Sequence, residues 1–177
     1  MSNDLFDVQG ETTPLTQVYD AVWKLLEDRS AFRDLIKKGN RIKFAGKARM
    51  PIKSDISTED TPELRIIPAG TEPHLEQSSN GSRITEQFDI ILTTGDMRTD
   101  AVLYPVKWEI FRAFSDWATT LKDLTYKTKK FVVLARLVTT VDGISEADLA
   151  RGIKGWTTVW RLAVDMWFET SVMRLET

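Results

Sequence analysis

The longest alternation in the chain, Trp156 to Thr170, leaves little choice of architecture. Trp156, Thr158, Trp160, Leu162, Val164, Met166 and Phe168 fall on one side, and Thr157, Arg161, Asp165 and Glu169 on the other. A period of two marks a strand with one buried face. This strand is well beyond the usual length of about five or six residues. A second alternation runs from Ser82 to Thr94, with Ile84, Phe88, Ile90 and Leu92 opposed to Arg83, Thr85, Gln87, Asp89 and Thr93; Gly95-Asp96 closes it. A third strand, Phe131 to Val141, is rich in Val and Leu, with Arg136 its only charge. Long strands with a single greasy side belong to an antiparallel sheet, and that side must be covered by another layer.

Two helical segments supply the cover. Thr13-Pro14 reads as a cap followed by proline at the first helical position. Leu15, Val18, Val22, Leu25 and Leu26 then recur at helical spacing, with Tyr19 and Trp23 beside them. Ser30 reads as a second cap, and Gly39 as the end of a short helix through Phe32, Leu35 and Ile36. Further along, Asp100 caps a helix starting near Ala101, with Pro105 in its first turn. Tyr104, Trp108, Phe111, Phe114 or Ser115, Ala118 and Leu121 form one aromatic stripe, expected to pack across the sheet because large aromatics bury the most area.

Ile42-Lys43-Phe44 is a candidate short strand. Glu63 to Ile67 is another, expected to stop at Pro68, with residues 68–82 as turn or loop. The expected class is α+β: an antiparallel sheet of about four to five strands with helices on one face, in the order α-β-β-β-α-β-β. Residues 1–12 are expected to be a flexible N-terminus. Residues 13–177 form a single domain, with long loops at 40–61 and 142–155. The length of 177 residues suits one such domain.

Composition narrows function mostly by exclusion. There is no cysteine, hence no disulfide, thiolate metal site or cysteine nucleophile. Met1 to Gly10 is acidic and has no apolar signal core, and no run approaches 18 apolar residues. His74, the single histidine, falls in Glu72-Pro73-His74, expected to be a loop, and cannot build a histidine metal site alone. There is no Gly-x-Ser-x-Gly elbow, phosphate loop or dinucleotide fingerprint. Arg151-Gly152-Ile153-Lys154-Gly155 reads as a turn, and Asp55, Glu59, Asp60 and Glu63 lack the spacing of a calcium loop. No catalytic residue, metal ligand or cofactor site is therefore expected, and the chain is read as a non-enzyme.

Two features suggest contact with partners. Lys37, Lys38, Arg41, Lys43, Lys47, Arg49 and Lys53 form a run without an acid, in a chain of net charge −2. The run reads as a solvated loop, as an arm meeting an acidic neighbour, or as a phosphate contact. Trp167 faces opposite to Trp156 and Trp160 between Asp165 and Glu169. It reads either as an anchor covered by a partner or as the second buried face of a central strand. Lys43, Lys47, Arg49, Lys53 and Trp167 are the candidate interface residues.

The element order carries a resemblance. A first helix, Pro14–Asp28, precedes a loop-rich region and a strand ending in Glu63-Leu64-Arg65-Ile66-Ile67-Pro68. A long alternating strand, Ile84–Thr94, a helix, Tyr104–Leu121, and a terminal strand pair follow. This order, over most of residues 14–170, resembles the tail terminator proteins of long-tailed bacteriophages. The resemblance implies a hexameric ring of identical subunits that caps the tail tube, stops its growth and offers the head-tail connector a docking face. Its partners would be itself, the tail tube protein and the connector, with DNA passing through the lumen and no membrane. It would be made in the host cytoplasm and reside in the tail or neck of the virion. Neck or tail-completion adaptors fit the same order. A rival of another class is a small-ligand or nucleic-acid binding module using the concave face of the sheet.

Overall fold

The computed structural model describes residues 13–43, 62–78, 81–94, 103–115, 117–143 and 156–169. Its elements are α1 (Pro14–Glu27), α2 (Ser30–Leu35), a 3-10 turn (Lys38–Asn40), β1 (Arg41–Ile42), β2 (Glu63–Ser78), β3 (Gly81–Thr94), α3 (Tyr104–Ser115), α4 (Trp117–Thr120), β4 (Thr125–Tyr126), β5 (Lys129–Lys130), β6 (Val132–Gly143) and β7 (Trp156–Glu169). The fold class is α+β, as the periodicities imply.

Thr13 caps α1, its Oγ1 accepting from the Thr16 backbone N–H at 3.2 Å, with Pro14 at the first helical position. Ser30 is not the cap of α2. Arg29 holds that position without a side-chain bond, and Ser30 is already helical.

The five-stranded sheet has the order β1-β2-β3-β7-β6. Its four long strands are antiparallel, and β1 joins β2 in parallel at Leu64 and Arg65, so the sheet is mixed. Residues 68–78 correct the expected loop. β2 continues through Pro68, Gly70 and Pro73, with a bulge between Pro68 and Gly70. The reason is position. Beyond Arg65 no strand lies outside β2 among the described residues, so a proline nitrogen turned outward breaks no ladder bond. Pro68 and Pro73 face β3 residues of the same parity, Phe88 and Ile84, and both turn outward. His74 consequently lies in a strand opposite Arg83, not in a loop.

The inward sides of β3 and β7 are those read from the alternation. Phe88, Ile90, Leu92, Trp160, Leu162, Val164, Met166 and Phe168 join Leu64 and Ile66 in one core under the helices. Tyr19 of α1 reaches this layer, its hydroxyl donating to the Ile66 carbonyl at 3.2 Å and its ring 6.0 Å from that of Phe88. On the opposite face Asp165 is 1% exposed although it belongs to the polar side of its strand. It accepts from Thr85 Oγ1 at 2.6 Å and Arg83 Nη2 at 2.7 Å, with Arg136 Nη2 at 3.6 Å. Burial pushes its carboxyl up, but these donors outweigh burial and hold it below the ordinary range.

Glu86 is the exception on the inward side. It is buried opposite Thr71, from whose hydroxyl it accepts a bond. Burial raises its carboxyl above the ordinary range, the Thr71 bond only partly opposing. A raised carboxyl favours the folded state below its unfolded pKa and loses that contribution as pH rises through the folded value. Glu86→Gln should therefore raise Tm at pH 7, with the gain shrinking as pH is lowered toward about 4. Thermal unfolding of both forms across that range tests this; a gain that grows on acidification would contradict it.

Candidate assembly surface

Among the described residues α3 buries one side fully. Leu103, Val106, Ile110, Ala113 and Phe114 are buried. Glu109, buried among them, accepts from Arg29 Nε at 2.8 Å and from Arg112 Nη1 at 3.0 Å. The Arg29 bond is the main cause that holds the Glu109 carboxyl below its ordinary range, against burial. This pair fixes the roll of α3 against the α1–α2 junction.

That roll departs in part from the one expected from the aromatic stripe: Phe114 and Leu121 are buried as expected, but the first part of the stripe is not. Trp108 is 62% exposed, and Tyr104 and Phe111 are exposed beside it. The less aromatic stripe won because it includes Ile110 and Phe114 in helical register with Val106 and places Glu109 against a cation. Asp100 and Ala101 lie outside the described residues.

The open flank of α3 stands over the last strands of the sheet. Lys107 Nζ donates to Asp142 Oδ1 at 2.6 Å and lies 5.4 Å from the Trp156 ring centroid. Phe111 meets Trp160 edge-on at 6.3 Å between centroids, and Trp160 pairs with Thr139 of β6. Asp142 Oδ1 also accepts from Thr158 Oγ1 at 2.8 Å and Trp156 Nε1 at 2.9 Å. Burial opposes ionisation there, but Lys107, Thr158 and Trp156 hold the carboxyl below its usual range. Asp142 thus pins the flank to the end of β6.

Among the described residues β6 is an outer strand of the sheet with no neighbour on its far side, and Val133, Leu134, Val138 and Val141 are exposed. Of the eight exposed large hydrophobic side chains among the described residues, seven are on α3 and β6, with Leu15 the exception. Single exposed apolar residues mean little, but a cluster of this kind marks a contact surface. The backbone edge of β6 runs between two apolar banks: the α3 flank on the helix side, and Leu134, Val138 and Val141 on the other. The two sheet edges are treated differently. β2 is blunted by Pro68, Pro73 and a bulge. β6 has bulges between Val132 and Leu134 and between Thr139 and Val141, but neither proline nor lysine.

Of the residues singled out from the sequence, Lys43 and Trp167 are described, and both lie away from this surface. Lys43 donates to Glu27 Oε2 at 2.8 Å and sits 5.3 Å from the Trp23 ring centroid. Its neighbour Arg41 closes α2, donating to the Ile36 and Arg33 carbonyls at 2.7 and 3.0 Å. Lys47, Arg49 and Lys53 lie outside the described residues. Trp167 is half-buried, and its ring lies where a side chain at residue 81 would stand, a Cβ on Gly81 falling 2.5 Å from it. Lys43 follows β1, near Arg65, whereas Trp167 pairs with Arg83 at the other end of β3, so the two are not brought together. The signal for β6 was present in its sequence: apolar residues occupy both of its faces, although an edge strand in one chain needs only one.

His74, Thr85 and Asp165 form a hydrogen-bonded chain. Thr85 donates to Asp165, so the 2.7 Å contact between His74 Nε2 and Thr85 Oγ1 requires the proton on Nε2. In that arrangement His74 is a donor to the hydroxyl and not its base. No group of three or more His, Cys, Asp or Glu side chains placed to hold a metal occurs among the described residues, and no described helix is long and apolar enough to cross a membrane.

Replacing Trp108 by Ser should leave monomer stability within about 0.5 kcal/mol, as for exposed positions generally. Ile110→Ala should cost about 2–5 kcal/mol by opening the core. Denaturant unfolding of the two variants separates this roll of α3 from the aromatic-inward one, which requires the opposite ranking.

No family model matches the chain, and no curated protein matches it. Among solved structures it is similar to the sheath/tube terminator of an extracellular contractile injection system (PVC) in the extended state. The TM-score is 0.44 at 11% identity, covering 95% of this chain and 62% of the other, so the chain spans less than two thirds of that protein's length.

Proposed function

We propose that this chain is a ring-forming assembly subunit that caps a tail tube, ending its growth and offering the docking face for a head-tail connector. The observation that carries the self-association is the cluster of exposed apolar side chains on both sides of the free edge of β6. A second copy seated there would extend the sheet through main-chain bonds and bury the α3 flank. The blunted edge at β2 is unlike the open edge at β6. Unlike patches are what a closed ring requires, since each contact joins one patch to a different patch on the next copy.

The tube-capping part of the reading is supported by the element order shared with phage tail terminators. On that reading the ring is a hexamer in the tail or neck of a virion, assembled in the host cytoplasm, with tube protein on one face and connector on the other. The basic stretch carrying Lys43, Lys47, Arg49 and Lys53 would face a neighbouring subunit or the tube.

Native mass spectrometry should show the wild-type chain assembling to about six times its 20.2 kDa mass, alone or on tail tubes. The double variant Trp108→Ser, Val138→Glu should stay a monomer with an unchanged circular dichroism spectrum. A wild type that remains monomeric even with tubes present would overturn the reading. A two-fold dimer would overturn the ring.

A further inference from the structure

The β4–β5 hairpin is a second surface with a chemistry of its own. Between Lys122 and Lys130 there are four lysines, Lys122, Lys127, Lys129 and Lys130, against one acid, Asp123. All four lysines are exposed. The hairpin beneath them is anchored: Phe131 stacks on Phe168 at 5.4 Å, and its carbonyl accepts from the Trp167 N–H at 2.8 Å. Leu124 and Tyr126 pack against the core.

The turn is unusual in its residues. Lys127 and Thr128 join the paired residues Tyr126 and Lys129 with φ of 46° and 68°. Two left-handed central residues form the mirror-image turn that favours Asn-Gly. A β-branched threonine there is a true outlier, and residues held in such conformations concentrate at functional sites.

The charges are available. Lys130 pairs with Asp123 at 2.6 Å and Lys129 with Glu169 at 3.6 Å, but every partner in these pairs is more than 45% exposed. Such pairs contribute little in water and yield to a stronger anion. Lys122 and Lys127 lie over the rings of Trp117 and Tyr126, at 4.9 and 5.9 Å from the centroids.

We propose that this hairpin binds the phosphate backbone of duplex nucleic acid without regard to sequence. Protein interfaces are depleted in lysine, whereas phosphate contacts use it as a point charge. The stretch has no Arg, Asn or Gln to read base edges. Its aromatic rings lie beneath lysines and offer no platform for stacked single-stranded bases. The inference stands on the hairpin alone and does not require the ring.

Fluorescence anisotropy with two labelled duplexes of unrelated sequence, at 50 and 200 mM KCl, tests it on the full chain. Wild type should bind both duplexes equally, with a slope of log affinity against log salt of about −3, as expected for three to four phosphates. Replacing the four lysines by Gln should weaken binding more than tenfold and flatten the slope. Replacing them by Arg should retain both, and thermal unfolding should show all forms folded. No binding at 50 mM KCl, equal binding by the Gln form, or a poly-glutamate peptide bound as tightly as the duplex would each overturn the proposal. The last result would assign the hairpin to an acidic protein. Because a monomer suffices for this readout, its failure leaves the assembly reading untouched, and a monomeric chain can still pass it.

Discussion

Fourteen consecutive cross-strand pairs join β3 to β7, from Gly81 with Glu169 to Thr94 with Trp156, without a bulge. Every other element takes its place from this ladder. Its inward side presents Phe88, Ile90 and Leu92 beside Trp160, Leu162 and Val164, and the helices must cover that area or leave it wet. Its outward side brings Arg83 and Thr85 against Asp165, and Asp89 against Arg161, which donates to it at 2.9 and 3.0 Å. A slip of one residue would exchange these two sets, so the register is fixed by packing and by charge together.

The helix layer is offset from the centre of the sheet. α1 reaches the β2–β3 half through Tyr19, and α3 reaches β7 through Phe111. The Arg29–Glu109 pair holds α3 toward α1 and α2, and Tyr104 and Trp108 on its other flank are exposed. The exposed aromatics of α3 lie on the helix side of the sheet, whereas Leu134, Val138 and Val141 of β6 lie on its other face, opposite the outward residues of β7. Lys107 and Asp142 tie α3 to the end of β6.

The parts of this fold that depend on near neighbours in sequence were legible there. Thr13 and Pro14 start a helix, and the inward residues of β3 and β7 follow a period of two. What depends on position within the sheet was not. Pro68 reads as a strand end unless it is known that β2 runs along an outer edge. The outward-facing Asp165 is buried only because Arg83, on a strand 82 residues earlier in the chain, and Arg136 reach it. Ring size placed Tyr104 and Trp108 of α3 inside where they are exposed, although Phe114 and Leu121 of the same stripe are buried, because the Arg29 partner of Glu109 is 80 residues away. The β4–β5 hairpin escaped notice because Lys127-Thr128 lacks the Gly or Asn that signals such a turn. Of the candidate interface residues, Lys43 and Trp167 make contacts within the chain, and Lys47, Arg49 and Lys53 lie outside the described residues.

In the proposed assembly the edge of β6 becomes covered when copies meet. Hydrogen exchange of the β6 amides, measured on the monomer and on the assembled particle, tests it most directly. Exchange over residues 133–141 should slow on assembly by more than tenfold. Equal exchange at β6 in the two states, or protection confined to β2, would contradict it.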